Sequence, residues 1–321
     1  MTRSLLSLIV AHLIWSATPS EAQKSYRIGS LNTTEQFTSS FEGFKSRMAE
    51  LGYVEERTTR YDFYDAKGNN EALDRFARKT VQDKVDLIVT SSTTATVAAA
   101  KATAGTGIPV VFLSVGNPQK FIRSFAGSGS NLAGISAATV EISGKRFELL
   151  RELAPWVKRI VTLDDPNGVN YEANLRESRQ SAKKLGYALW EIKAPSREEI
   201  VRVAPSLTRK RVDAIYTPPD SVVTEAIEVI IGQAIKEKLP LVTSLLANVK
   251  KGCLATYAAD YFALGKQGAI IADKILHGAK PSELPIEMPS KWKLVINLKT
   301  AKAIGLKIPR EILLRADELI D

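Results

Sequence analysis

What most constrains this chain is a repeated alternation of short apolar runs with amphipathic segments. Tyr26 to Leu31 reads as a strand. Ser39 to Leu51 reads as a helix with Phe41, Phe44, Met48 and Leu51 on one face, ended by Gly52. Arg60 to Tyr64 alternates as a strand, and Asn70 to Gln82 places Leu73, Phe76, Ala77 and Thr80 on one helical face. Asp86 to Thr90 is a compact apolar strand, Thr94 to Thr103 an Ala-rich helix, and Pro109 to Leu113 the next strand. Apolar strands set between amphipathic helices belong to parallel sheets covered on both faces.

The pattern then restarts. Helices are predicted over Ile142 to Leu153, Tyr171 to Leu185 (closed by Gly186), Glu198 to Thr208, Val222 to Glu237 and Ala263 to Leu276. Between them lie strand patterns at Arg159 to Leu163, Tyr187 to Lys193, Val212 to Tyr216, Pro240 to Thr243 and Cys253 to Thr256. Two series of similar size predict two α/β lobes. This suits 321 residues at about 100–200 per domain. Gly127 to Gly134 (GSGSNLAG) reads as the crossover between the lobes. Pro281 to Asp321 is too short for a third domain and must return to lobes already built.

Residues 1–22 read as a secretory signal peptide. Arg3 supplies a positive start, Leu5 to Trp15 is apolar apart from Ser7 and His12, and Ser20-Glu21-Ala22 gives a small-x-small cleavage site before Gln23. The competing reading is a buried N-terminal helix. The run falls short of the roughly 20 apolar residues of a membrane span, and no Cys stands at the cleavage site to carry a lipid. A freely diffusing periplasmic protein is expected.

Cleavage would leave one histidine, His277, which ends a predicted helix before Gly278 and suits the helix C-terminal dipole. The single cysteine, Cys253, lies in an apolar run without a histidine partner and reads as a buried small residue. Neither a G-x-S-x-G elbow nor an H-E-x-x-H pair is present. An enzyme is not expected, nor a metal or other cofactor. The charge of +9 raises a nucleic-acid partner, but the basic residues are scattered and Arg209-Lys210-Arg211 is their longest run. No nucleic-acid partner is expected.

In open α/β sheets, ligands bind beyond the carboxyl ends of the strands. The candidate ligand residues therefore come from the loops after the strands. In the first lobe these are Asn32, Thr33 and Phe37, then Ser91, Ser92 and Thr93, then Ser114, Val115 and Asn117. In the second they are Asn167 and Tyr171, then Thr217, Asp220 and Ser221, then Ser244, then Tyr257, with Tyr261 close by. Ser91 to Thr94 is the most informative run. Four hydroxyl residues at a helix start, with free amides and the positive dipole end, suit a small anion such as a carboxylate; capping needs only one of them. Asp220 either caps the following helix or accepts a ligand ammonium. The aromatics either pack on a ligand or pack their own loops. Asp164 and Asp165 are adjacent in sequence and read as part of a turn led by Asp-Pro-Asn-Gly.

These segments resemble the solute-binding components of ABC importers with the type I periplasmic-binding-protein fold, and within them the branch that includes tryptophan- and tyrosine-binding lipoproteins. The resemblance is carried by Phe44 to Tyr53 (FKSRMAELGY), Asp86 to Thr96 (DLIVTSSTTAT), Ile108 to Pro118 (IPVVFLSVGNP), Ser130 to Ser136 (SNLAGIS), Ala214 to Val223 (AIYTPPDSVV) and Gly278 to Pro285 (GAKPSELP). The clearest part is Leu294 to Leu306 with Leu314 to Ile320 (LVINLKTAKAIGL and LRADELI). The family implies two Rossmann-like lobes with parallel sheets joined by a three-strand hinge. It places residues 23–137 with 258–288 in the N-terminal lobe and 138–257 with 289–321 in the C-terminal lobe. It sets Ser91-Ser92-Thr93 at a ligand carboxylate, Asp220-Ser221 where relatives have Asp-Asn near a ligand amine, and Asn32 to Phe37 at a variable loop. Two departures stand out. Asn117-Pro118 replaces a common Asp-Pro, and Tyr257-Ala258-Ala259-Asp260 carries Ala where many members have Gly and Pro, which is expected to narrow the cleft mouth. The implied function is capture of a small carboxylate-bearing solute, an amino acid or aromatic acid, by a monomer that delivers it to an inner-membrane ABC permease. The alternative is a sensing module of the same fold that presents itself to a membrane receptor.

Overall fold

The computed structural model describes residues 25–321; the signal-peptide reading of residues 1–22 lies outside them. Among the described residues, twelve strands form two sheets, of five and seven strands. The first comprises β1 (Tyr26–Asn32), β2 (Thr59–Asp65), β3 (Leu87–Ser91), β4 (Val110–Val115) and β5 (Leu132–Ser136), in the order β2-β1-β3-β4-β5 and parallel throughout. On one face α2 (Asn70–Gln82) and α3 (Thr93–Thr103) bury Leu73, Ala77 and Ala95 against Leu31, Ile88 and Phe112. On the other, α1 (Thr38–Glu50) brings Phe44 and Met48 against Ile28, Val89 and Leu113. Each of the Leu, Ile, Val, Phe and Met side chains among these contributes about 1.5–3 kcal/mol of burial.

The second sheet repeats that order as β7-β6-β8-β9-β10 and extends it with β11 and β12. Its strands are β6 (Arg159–Asp164), β7 (Ala188–Lys193), β8 (Ala214–Thr217), β9 (Leu241–Thr243), β10 (Ala255–Ala259), β11 (Trp292–Asn297) and β12 (Glu318–Ile320). The helices of this lobe are α4 (Ser143–Leu153), α5 (Tyr171–Leu185), α6 (Arg197–Val203), α7 (Ser221–Glu225), α8 (Ile227–Lys236) and α9 (Leu246–Lys251). All pairs are parallel except β10 with β11, where the returning chain runs antiparallel.

The helix α10 (Tyr261–Leu276) follows β10 yet packs on α1 in the other lobe. Its approach is very close. A β-carbon on Gly265 would run into the Ser40 carbonyl, and one on Gly43 into the Phe262 carbonyl, so two glycines allow the helix backbones to meet. The remaining chain forms β11, α11 (Leu298–Ile304), α12 (Arg310–Arg315) and β12 on the second lobe. The chain passes between the lobes three times, after β5, after β10 and before β11. The Ser136 amide donates to Glu287 O at 2.9 Å, the Glu287 amide to Gly134 O at 3.0 Å, and the Asp260 amide to Lys291 O at 3.2 Å, so the crossing strands lie side by side. This is the type I periplasmic-binding-protein fold.

Four local readings are corrected. The Gly-rich Gly127–Gly134 is not the crossover: its end runs into strand β5 with Leu132, Ala133 and Ile135 buried. Gly134 has φ 151°, and a β-carbon there would strike the Phe112 carbonyl of β4, so this glycine marks a close strand approach. The helix expected over Glu198 to Thr208 ends at Val203 in a 3-10 turn, because Pro205 cannot donate to the helical ladder. The helix expected over Val222 to Glu237 is broken at Ala226 (φ −96°, ψ 9°). The strand expected at Cys253 to Thr256 runs instead from Ala255 to Ala259. Ala258 and Ala259 are therefore buried sheet residues and do not narrow a cleft mouth.

Among the described residues, no helix is long and apolar enough to cross a membrane, and no group of three His, Cys, Asp or Glu side chains could hold a metal ion.

Candidate ligand-binding cleft

A sheet of order 2-1-3-4-5 has its topological switch between the first and third strands, and ligands bind at the carboxyl ends there. Each lobe has one such point, β1/β3 and β6/β8, and they face each other across a cleft. The space between them in this arrangement is only about 40 Å³, far below the roughly 300–1,000 Å³ of small-molecule sites, so a solute would enter with the lobes further apart. Both lobes line the cleft. A β-carbon on Gly116 of the first lobe would touch Asn170 Nδ2 of the second at 3.8 Å, and one on Gly68 would run into the Glu225 carboxylate. The lobes are in contact.

On the first lobe the wall is built where β3 enters α3. Ser92 caps α3: its Oγ accepts from the Ala95 amide at 3.2 Å, and from Thr33 Oγ1 at 3.2 Å. Its backbone has φ 112° and ψ 159°, a region essentially reserved for glycine that costs a side-chain-bearing residue about 1–3 kcal/mol. The first amides of a helix have no partner within it, and Thr93 and Thr94 line the cleft. Thr93 Oγ1 accepts from the Gly116 amide at 3.2 Å. Ser114 Oγ lines the cleft, buried and without a protein partner. Phe37 and Tyr261 stack at 5.6 Å and 14° and give this wall its aromatic part. Burial pushes the Tyr261 phenol up to about 12, so it remains a hydrogen-bond donor at neutral pH.

On the second lobe the cleft meets Asp220, only 9% exposed. One oxygen accepts from the Val223 amide at 2.8 Å and caps α7; the other accepts from the Asp165 amide at 3.0 Å. No cation of the protein pairs with it among the described residues. Burial holds its pKa above the ordinary range against those amides. Asp164 lies behind it, 1% exposed, bonded to Asn174 Nδ2 at 3.0 Å and Thr162 Oγ1 at 3.1 Å. Burial, with the Asp220 charge second, raises Asp164 to about 8. Asp164 is the last residue of β6 rather than part of the turn after it. Asn170 adds a buried Oδ1 without a protein partner.

A family model described as ABC transporter substrate binding protein matches residues 34–320. The chain belongs to that family. A tyrosine-binding protein of Clostridioides difficile (strain R20291) is 27% identical over 292 residues, covering 90% of this chain and 83% of its own. The structure of an ABC domain from Streptococcus pneumonia in complex with L-Trp superposes with a TM-score of 0.84 at 27% identity, over 92% of this chain and all of that one. The ligand-free, open structure of a substrate-binding protein with adhesive properties from Clostridium difficile reaches 0.70 at 25% identity, over 92% of this chain and 99% of that one. The family and these relatives are solute-binding proteins, not enzymes.

In this substrate-binding protein the cleft gathers six of the expected residues: Phe37, Ser92, Thr93, Ser114, Asp220 and Ser221. Others stand one layer behind. Thr33 is buried against Ser92, Ser91 Oγ accepts from Ser40 Oγ at 3.0 Å, and Asn32 Nδ2 ties the loop to Thr34 O at 2.8 Å. Val115 is fully buried, its carbonyl accepting from the Ala137 amide at 2.7 Å in the first crossover. Asn117 starts the 3-10 turn at Pro118–Lys120, next to Gly116. Thr217 and Ser244 are buried at strand ends. Asn167 lies at the rim beside Gly68 and Glu225. Two aromatics face elsewhere. Tyr171 lines a hollow with Arg179 and Glu191. Tyr257 is a strand residue stacked on Trp292 at 5.8 Å and 9°, because the β-strand alternation turns its ring away from the cleft. The sequence reading had not singled out Thr139, Asn170, Thr224 or Leu245, which also line the cleft.

Proposed function

We propose that the protein is the periplasmic solute-binding component of an ABC importer that captures a small zwitterionic solute, an aromatic amino acid being the best fit. The observation that carries this is the polarity of the cleft. One wall offers hydroxyls and unpaired amides at the start of α3, which suit a carboxylate. The facing wall offers Asp220, a buried carboxylate without a cation, which suits an ammonium. The stacked Phe37 and Tyr261 suit an aromatic side chain between them and the far wall. The relatives carry the same suggestion, since one is a tyrosine-binding protein and another is seen with L-Trp.

The solute would hold the lobes together by contacts to both, and the three crossovers would bend on opening. Residues 1–22 would act as the export signal, and a membrane permease would receive the solute. Calorimetry tests the reading with L-tryptophan, L-tyrosine, tryptamine and indole-3-propionate. The amino acids are expected to bind, and the two truncated analogues to bind at least tenfold more weakly. Equal affinity for tryptamine and tryptophan removes the carboxylate half of the proposal. Equal affinity for indole-3-propionate removes the ammonium half.

A further inference from the structure

Arg146 is the largest fully buried side chain among the described residues, at 0% exposure. It belongs to α4, yet its guanidinium serves three other segments. Nη1 donates to Thr139 O at 2.6 Å, Nε to Tyr257 O at 2.9 Å, and Nη2 to Ser244 O at 3.4 Å. All three acceptors are backbone carbonyls, and Arg146 makes no ion pair with an Asp or Glu among the described residues. A guanidinium stays protonated in proteins, so a full positive charge is held here by backbone carbonyls, with the Glu141 carboxylate near enough to feel it but not paired with it. Buried charges are ordinarily paired, because leaving them unpaired is costly.

The cleft lies just beyond its partners. Thr139 lines the cleft and gives its carbonyl to Arg146. Tyr261 lines it as well, and its phenol senses the Arg146 charge and bonds to Thr139. Thr139 adjoins Gly116, whose amide rests on Thr93. Arg146 therefore stands on the second lobe, where the first crossover meets the Ser244 and Tyr257 carbonyls, and reaches the hydroxyl wall of the first lobe through Thr139; Asp220 belongs to a separate group with Asp165 and Asp164.

We infer that Arg146 is a specificity-determining residue whose buried charge makes this end of the cleft select an anionic group on the solute over the same solute in neutral form. It acts through Thr139 and Tyr261 and does not touch the solute. The inference rests on the reading of the cleft as a carboxylate site.

The test compares acid and amide pairs, tryptophan with tryptophanamide and indole-3-propionate with its amide, by calorimetry on the wild type, R146K and R146Q. The wild type is expected to prefer each acid at least tenfold. R146Q should shrink the acid-to-amide ratio by about tenfold, and R146K, which keeps the charge, should restore most of it. A purely structural clamp would weaken acid and amide alike; an unchanged ratio in R146Q overturns the inference. R146M supplies a second neutral variant where R146Q does not fold, and a wild type that binds amide as tightly as acid refutes the inference without any variant. Tryptophan binding with a ratio independent of Arg146 leaves the amino-acid reading standing and removes this one. Binding of indole-3-propionate but not tryptophan, with the ratio dependent on Arg146, does the reverse. Binding of no member of the panel removes both.

Discussion

Ser92→Gly and Ser92→Ala separate the two roles the structure gives Ser92. Both delete Oγ, so both lose the contact from Thr33 Oγ1 and any bond to a solute. They differ only in how the backbone tolerates φ 112° and ψ 159°. Alanine keeps the strain of about 1–3 kcal/mol that serine bears. Glycine is free of it, and also caps a helix better than alanine by about 0.5–1 kcal/mol. Against this stands the usual entropic penalty of glycine, about 0.5–1 kcal/mol. Glycine should therefore be the more stable variant by about 1–3 kcal/mol, the reverse of the order at most helical positions. In a chain of this size each kcal/mol moves Tm by roughly 1–2 °C. Thermal unfolding of both variants without solute measures the gap. Calorimetry with L-tryptophan should show both weakened by about tenfold or more, as expected for one hydrogen bond to a charged group. An alanine variant as stable as the glycine variant refutes the backbone strain. A glycine variant that binds like the wild type refutes its link to the solute.

Further outcomes follow from other parts of the fold. Asp220→Asn keeps a side-chain oxygen for the α7 cap but leaves the Asp165 amide without its acceptor, so it should cost about 1–3 kcal/mol of stability and lose about tenfold or more in affinity for an ammonium-bearing solute, measured by urea unfolding and calorimetry. Asp164, raised to about 8 in the folded state, ionises near 3.9 when unfolded. Between those values the folded state binds one proton more than the unfolded state. This group therefore lowers stability as pH rises across that window, by up to about 1.4 kcal/mol per pH unit. Asp164→Asn should flatten the wild-type slope in urea unfolding between pH 5 and 8; a parallel slope in the variant refutes the assignment. Gly265→Ala should push α10 off the Ser40 carbonyl and cost about 1–3 kcal/mol or more, seen as a lower urea midpoint.

The alternation of strand and helix was legible because strands buried on both faces are apolar along their length, as in Leu87-Ile88-Val89 and Val110-Val111-Phe112. β5 was hidden because Gly134 looks like a loop residue until the carbonyl of Phe112 is placed against it. The position of 281–321 was not legible from composition, since β11 pairs antiparallel with β10 through contacts far apart in sequence; only the family resemblance placed it. Of the site, Ser92 and Thr93 could be found because they follow β3 directly, Ser114 because it lies at the carboxyl end of β4, and Asp220 because it ends the short loop after β8. Thr139 and Asn170 could not, as they reach the cleft through the crossover and the first turn before α5. Arg146 was the least visible. In the helix Ser143–Leu153 (SGKRFELLREL) it stands beside Lys145, and a local pattern of alternating charges and leucines gives no sign which cation is buried.

The same placement explains why the costly features of this protein lie where they do. Ser92 carries backbone strain, Ser114 Oγ and Asn170 Oδ1 are buried without protein partners, and Asp220 is a buried carboxylate without a cation. The Ser92 strain lies within one lobe and is borne in any arrangement; on the reading proposed above, the other three raise the free energy of a closed arrangement without solute. A solute that offers hydrogen bonds to Ser114 and Asn170 and a charge to Asp220 gains most from that arrangement. A ligand shifts an equilibrium only by its differential affinity for the two states, and on the proposed reading these groups supply that difference. On that reading, a cleft satisfied by its own side chains would close as readily without cargo as with it, and the closed state would carry no information about the solute.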